Sequence, residues 1–154
     1  MPMPNDRTRP PKLEESIQFR VDELCAGAEE LAKDQNYDEA VVEYCRAFAL
    51  LPMPTEQWHA ANRILKGIAD ALFRKGDYAG AAEHLQKVML TPGAAEDSFI
   101  RMRRGQTAFE RGILGNAEQE LAAVYILEGQ QAFKSEDPKY WAFIESKMLP
   151  PEAE

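Results

Sequence analysis

Residue types able to do acid–base, nucleophilic or metal chemistry are few in this 154-residue chain, and none is spaced for it. His59 and His84 fall on different predicted helices, and neither has a companion ligand at metal-binding spacing. Cys25 and Cys45 form no CxxC or Cys/His pattern, and two cysteines make no disulfide framework. Both are expected to be small apolar fillers on helices. Glu29/Glu30 and Asp38/Glu39 are neighbours in sequence, so on a helix they point to different sides and read as solvated faces rather than acid/base pairs. The phosphate-cradling glycine loops, the nucleophile elbow GxSxG and the zinc motif HExxH are absent. No catalytic residue, metal ligand or cofactor is expected, and the chain is not expected to be an enzyme.

Composition narrows the class further. Hydrophobic residues make up 45% and charged residues 29%, a globular balance. No apolar run approaches the roughly 20 residues that a membrane-spanning helix needs. The opening stretch MPMPNDRTRPPK lacks the apolar core of a secretory signal, so a cytoplasmic protein with no membrane partner is expected. The net charge of −8 argues against a nucleic-acid backbone as ligand, since phosphate contacts want Lys and Arg. The charge is uneven. Residues 21–52 carry eight acids and two bases, residues 118–154 eight acids and three bases, and residues 98–117 four arginines and one glutamate. Two acidic segments therefore flank a basic one, a distribution that would attract a basic protein.

The elements that would position any site are helical throughout. Residues 1–11 are polar with four prolines and are expected to be a disordered tail. Ile17, Val21, Leu24, Ala28 and Leu31 then recur at intervals of three and four, marking one helical face that Asp34-Gln35-Asn36 breaks. A second helix, through Tyr44 and Ala47, ends at Pro52-Met53-Pro54. Thr55 is the expected N-cap of a third helix reaching Arg74, with a turn at Lys75-Gly76-Asp77. A fourth helix is expected near 78–91, a fifth from about Ala94 to Arg111, a sixth over about 116–133, and a seventh from the Ser135–Pro138 cap to about Met148. No segment shows the alternation of a strand.

These helices repeat in pairs. Ala40, Tyr44 and Ala47 follow Asn36-Tyr37; Ala81, Leu85 and Val88 follow Asp77-Tyr78; Ala117, Leu121 and Val124 follow Gly115-Asn116. Upstream, Leu24, Ala28 and Leu31 match Leu65, Ala69 and Leu72, while Gly105 and Ala108 stand at the last two of these places in the third pair. The small residues belong where two helices cross closely, because a larger side chain would overpack by about 1–3 kcal/mol. The pattern resembles the tetratricopeptide repeat (TPR), a 34-residue helix–turn–helix unit, with GDYAGAAEHL (76–85) the best match and Arg101 and Arg104 replacing bulky apolar residues in a degenerate third unit. A HEAT-like repeat would not explain the Asn/Asp-Tyr turns or the alanine positions.

The resemblance implies an all-α right-handed superhelix: three helix pairs over 12–133 after the 1–11 tail, and a capping helix with a short tail over 134–154. Tyr140, Trp141, Phe143 and Ile144 would supply the covering surface. It also implies a groove, lined by the first helix of each pair, that grips a segment of another protein. The matching positions are Asp22, Cys25, Glu29 and Lys33; then Arg63, Lys66, Asp70, Phe73 and Arg74; then Phe99, Met102, Gln106, Phe109 and Glu110. Phe73, Phe99, Met102 and Phe109 would be apolar anchors. The carboxylate clamp of chaperone-binding members is not expected, since Glu29, Asp70 and Gln106 stand where its asparagines would be. The tail YILEGQQAFKSEDPKYWAFIESKMLPPE resembles the end of small solitary bacterial TPR proteins proposed as immunity factors for polymorphic toxins. The expected function is thus a non-enzymatic binding module for one protein partner, such as a basic toxin domain. The alternative is a scaffold or secretion chaperone holding an apolar segment of an exported protein.

Overall fold

Three interhelical turns close with the same pair of backbone hydrogen bonds. Gln35, Gly76 and Gly112 each adopt a positive φ, of 64°, 94° and 76°. The amide of the next residue reaches five residues back: Asn36 N donates to Leu31 O at 2.8 Å, Asp77 N to Leu72 O at 2.8 Å and Ile113 N to Ala108 O at 2.8 Å. This is the Schellman closure, which satisfies carbonyls that a helix end would otherwise leave bare. Its three carboxyl-side acceptors are the repeat positions Leu31, Leu72 and Ala108, so the sequence repeat is a repeat of local geometry. Glycine takes the left-handed conformation freely at two of the turns; Gln35 adopts it against the steric preference of an L residue.

A computed structural model describes residues 11–148 of the chain. Residues 1–10 of the expected 1–11 tail and the last residues, 149–154, lie outside the described residues. All regular structure among the described residues is helical. The chain divides into two compact units, Met1–Glu96 and Asp97–Glu154.

The first unit holds two helix pairs, α1 (Glu15–Lys33) with α2 (Tyr37–Ala49) and α3 (His59–Lys75) with α4 (Tyr78–Val88). Each pair packs along its length, and α2 packs on α3. The crossing positions are filled by Ala28, Ala40, Ala47, Ala69 and Ala81, each at most 1% exposed. Around them Val21, Leu24, Tyr44, Ile64 and Ile68 form the core. Tyr44 lies across the backbone of Gly67: a Cβ there would sit 2.3 Å from the Tyr44 Cζ.

Thr55 does not cap α3. It opens a single 3-10 turn, Thr55–Gln57, and α3 begins at His59. The Trp58 indole N–H donates to the Pro52 carbonyl at 2.8 Å and buries the ring, which turns the chain before the helix can start. The nine-residue connection between α2 and α3, residues 50–58, accounts for part of the long 41-residue spacing from Ala40 to Ala81. A similar correction applies to the fifth helix. Ala94–Glu96 is a separate 3-10 turn. The helix proper starts after Asp97, whose carboxylate accepts from the amides of Phe99 at 2.9 Å and Ile100 at 3.3 Å. A capping carboxylate one residue before the helix satisfies donors with no intrahelical partner.

The second unit holds α5 (Ser98–Glu110), α6 (Leu114–Glu128) and α7 (Pro138–Met148). Gly105 lets α5 lie against Leu121 of α6: a Cβ at Gly105 would be 2.7 Å from the Leu121 Cγ. The sixth helix stops five residues earlier than its apolar pattern predicts. Gly129, at φ 79° and ψ −175°, ends it, and Gln130–Phe133 form a 3-10 turn. That turn buries Phe133, α7 packs on both the turn and α6, and Tyr140 and Ile144 of α7 are buried. Trp141 stacks between Tyr125 and Phe133, at ring-centroid distances of 5.4 and 5.5 Å.

Candidate functional site

In the first unit the expected groove positions of α1 and α3 form one polar face. Arg63 of α3 crosses to α1 and bridges two carboxylates, with Nη1 3.2 Å from Asp22 Oδ1 and Nη2 2.9 Å from Glu29 Oε1. The three side chains stay 40–52% exposed, so this bridge is a surface feature and contributes little to stability. Further along α3, Asp70 lies 3.9 Å from Arg74, whose guanidinium covers the Tyr37 ring at 5.4 Å. Phe73 is half-buried in an edge-to-face contact with Tyr78 at 5.5 Å. Lys66 and Lys33 lie on the same helices, and Lys33 pairs with Glu30 at 3.0 Å. Three carboxylates (Asp22, Glu29, Asp70) thus meet three cations (Arg63, Lys66, Arg74), and this face is charge-balanced. The excess acid of residues 21–52 sits elsewhere on α1 and α2, at Glu23, Glu30, Asp38, Glu39 and Glu43.

Cys25 is not on that face. It is 0% exposed, beneath the Asp22–Arg63–Glu29 bridge in sequence but inside the core. Burial pushes its thiol up to about 11 from 9.0, and pushes the Tyr44 phenol up to about 12 from 10.0. Both groups hold their proton more tightly in the folded chain than in the unfolded one. The stability they confer is full below pH 9 and is lost as pH rises through these intervals, first for Cys25 and then for Tyr44. The loss approaches about 2–3 kcal/mol for each group. Denaturant midpoints measured across this range should fall from pH 9 upward in the wild type, and only from about pH 10 in Cys25→Ala. A midpoint that stays level through about pH 11 in the wild type would refute the burial of both groups.

The corresponding positions of the second unit are already used by the chain itself. Met102 is 4% and Gln106 0% exposed. Glu136, in the segment leading to α7, accepts from Arg103 Nη1 at 3.0 Å and from Gln106 Nε2 at 2.9 Å, and Arg103 also donates to Gln106 Oε1 at 2.6 Å. Phe109 packs edge-on against Tyr140 at 5.5 Å and Phe143 at 5.1 Å. Glu110 accepts from Tyr140 Oη at 2.7 Å and pairs with Lys139. Burial raises the Glu110 pKa, but these two hydrogen bonds outweigh it and leave the carboxyl below its ordinary value. Only Phe99 remains open, 40% exposed beneath the Arg103 guanidinium at 4.9 Å. Cys25, Met102 and Gln106 therefore have interior side chains, and Phe109 and Glu110 are occupied by α7. Two of the four arginines of the basic segment are likewise engaged, Arg103 with Glu136 and Arg104 with Glu120 at 3.7 Å.

At the amino-terminal end of the α1–α3 face the structure opens an apolar cleft of about 650 Å³ that motif reading missed. Leu13, Phe19, Trp58 and Ala60 line it together with the charged Lys12, Glu15 and Asp22. Phe19 is 72% exposed. Its signal was present in the sequence: it lies off the Ile17–Val21–Leu24 stripe, an aromatic residue on a face the pattern assigns to water. Among the described residues, no group of three or more His, Cys, Asp or Glu could hold a metal ion, and no helix is long and apolar enough to cross a membrane.

The paired-helix architecture is shared with solved structures. The C-terminal TPR-containing domain of a Plasmodium falciparum FK506-binding protein superposes with a TM-score of 0.68 at 17% identity, over 88% of this chain and 90% of that one. The fold is TPR-like. The Yersinia enterocolitica type III secretion translocator chaperone SycD superposes with a TM-score of 0.67 at 15% identity, over 88% of this chain and the whole of that one. No family model matches the chain. No curated protein matches it either. In this TPR-like chain the glutamate, aspartate and glutamine at the three clamp positions face Arg63, Arg74 and Glu136 respectively.

Proposed function

We propose that this protein is a binding module for another polypeptide and that the α1–α3 face of its first unit makes the contact. The observation that carries the reading is the difference between the units. Apart from Phe99, the α5 positions are buried or covered by the segment that ends in α7, whereas Asp22, Glu29 and Arg63 remain exposed over a fully built core. A helical face that is structurally finished, polar and uncovered by any described residue is suited to a partner. The adjoining cleft favours an extended or helical apolar segment as the bound element, as a secretion chaperone would hold. The TPR-like fold, shared with a translocator chaperone, is consistent with that reading. A second reading, an immunity protein against a basic toxin domain, is favoured by the net charge of −8 and the surplus carboxylates on the other faces of α1 and α2.

Partner capture with Arg63→Glu and Lys66→Glu variants tests the face, with Glu43→Lys as an outer-face control and thermal melting to verify the fold. Loss of one captured protein in both face variants, with retention in the control, supports the proposal. Equal capture by all variants refutes it. Salt separates the two kinds of partner. Binding to a basic domain weakens steeply between low and high salt, while an apolar anchor is insensitive to it.

A further inference from the structure

We draw no further inference here: the strongest candidate, the apolar cleft beside Phe19 at the amino-terminal end of the α1–α3 face, adjoins the binding surface already described, and nothing in the structure shows what fills it.

Discussion

Removal of residues 135–154 is expected to unfold the α5–α6 pair. Tyr140 and Ile144 are 4% and 0% exposed, and burying two side chains of this size stabilises by about 3–6 kcal/mol as an upper figure. That is comparable with the whole stability of an ordinary domain, about 5–15 kcal/mol. The truncation also strips the Phe109 ring of Tyr140 and Phe143 and leaves Arg103 and Gln106 without the Glu136 carboxylate. An arginine 9% exposed and a glutamine 0% exposed, both deprived of their acceptor, add a desolvation cost of about 1–3 kcal/mol. Hydrogen exchange of the α5 and α6 amides gives the direct reading. Protection lost across both helices is the expected outcome. Protection equal to that of the full chain would show that α7 is an ornament of the second unit rather than part of its core.

Two glycine-to-alanine changes in the first unit are expected to act with opposite signs. Gly27 lies on the exposed side of α1 with nothing within 4 Å of the position a Cβ would take. Alanine there should stabilise by about 1 kcal/mol, because glycine is the poorer helix former. Gly67 is also inside a helix and should gain the same amount, but its Cβ would meet the Tyr44 ring at 2.3 and 2.6 Å. Tyr44 is 4% exposed and its planar ring has no space to retreat into. Overpacking of this kind costs about 1–3 kcal/mol or more and exceeds the propensity gain. In a unit of this size each kcal/mol moves the melting temperature by about 4–8 °C, so calorimetry should resolve both shifts. Gly67→Ala combined with Tyr44→Leu should recover part of the loss, since residues in contact are not additive. A Gly67→Ala variant as stable as Gly27→Ala would mean that α2 and α3 do not cross at Tyr44.

The same close approach explains how the α1–α3 face is kept in place. Tyr44 fixes α3 against α2, and the α1–α2 pair is closed by its Schellman turn, so Arg63 is carried to within reach of Asp22 and Glu29. Substitutions at Gly67 should therefore disturb partner binding through the fold, whereas substitutions at Arg63 or Phe19 should change binding with the fold intact. This separation is what makes the binding experiments interpretable.

Much of the architecture was legible in the sequence because its causes are local. The three- and four-residue spacing of apolar side chains places helices, and alanine or glycine at Ala40, Ala81, Ala117 and Gly105 marks where backbones must meet. Gly76 and Gly112 stop helices by conformations that few other residues adopt comfortably. The repeat of these signals was enough for the all-α, paired-helix reading and for a seventh helix with a buried Tyr140–Ile144 side. Helix starts were less legible. Thr55 and Ala94 have acceptable start signals, yet Trp58 bonding back to Pro52 and Asp97 capping Phe99 and Ile100 decided where α3 and α5 begin. The site was least legible of all. Whether Cys25, Met102 and Gln106 face outward, whether Phe109 is an anchor or packing for α7, and whether Asp22 and Glu29 attract a partner or an arginine of the same chain depend on the rotation of each helix about its axis and on pairs 30 to 41 residues apart. A periodic pattern specifies which residues share a face; only the packed structure decides what that face meets.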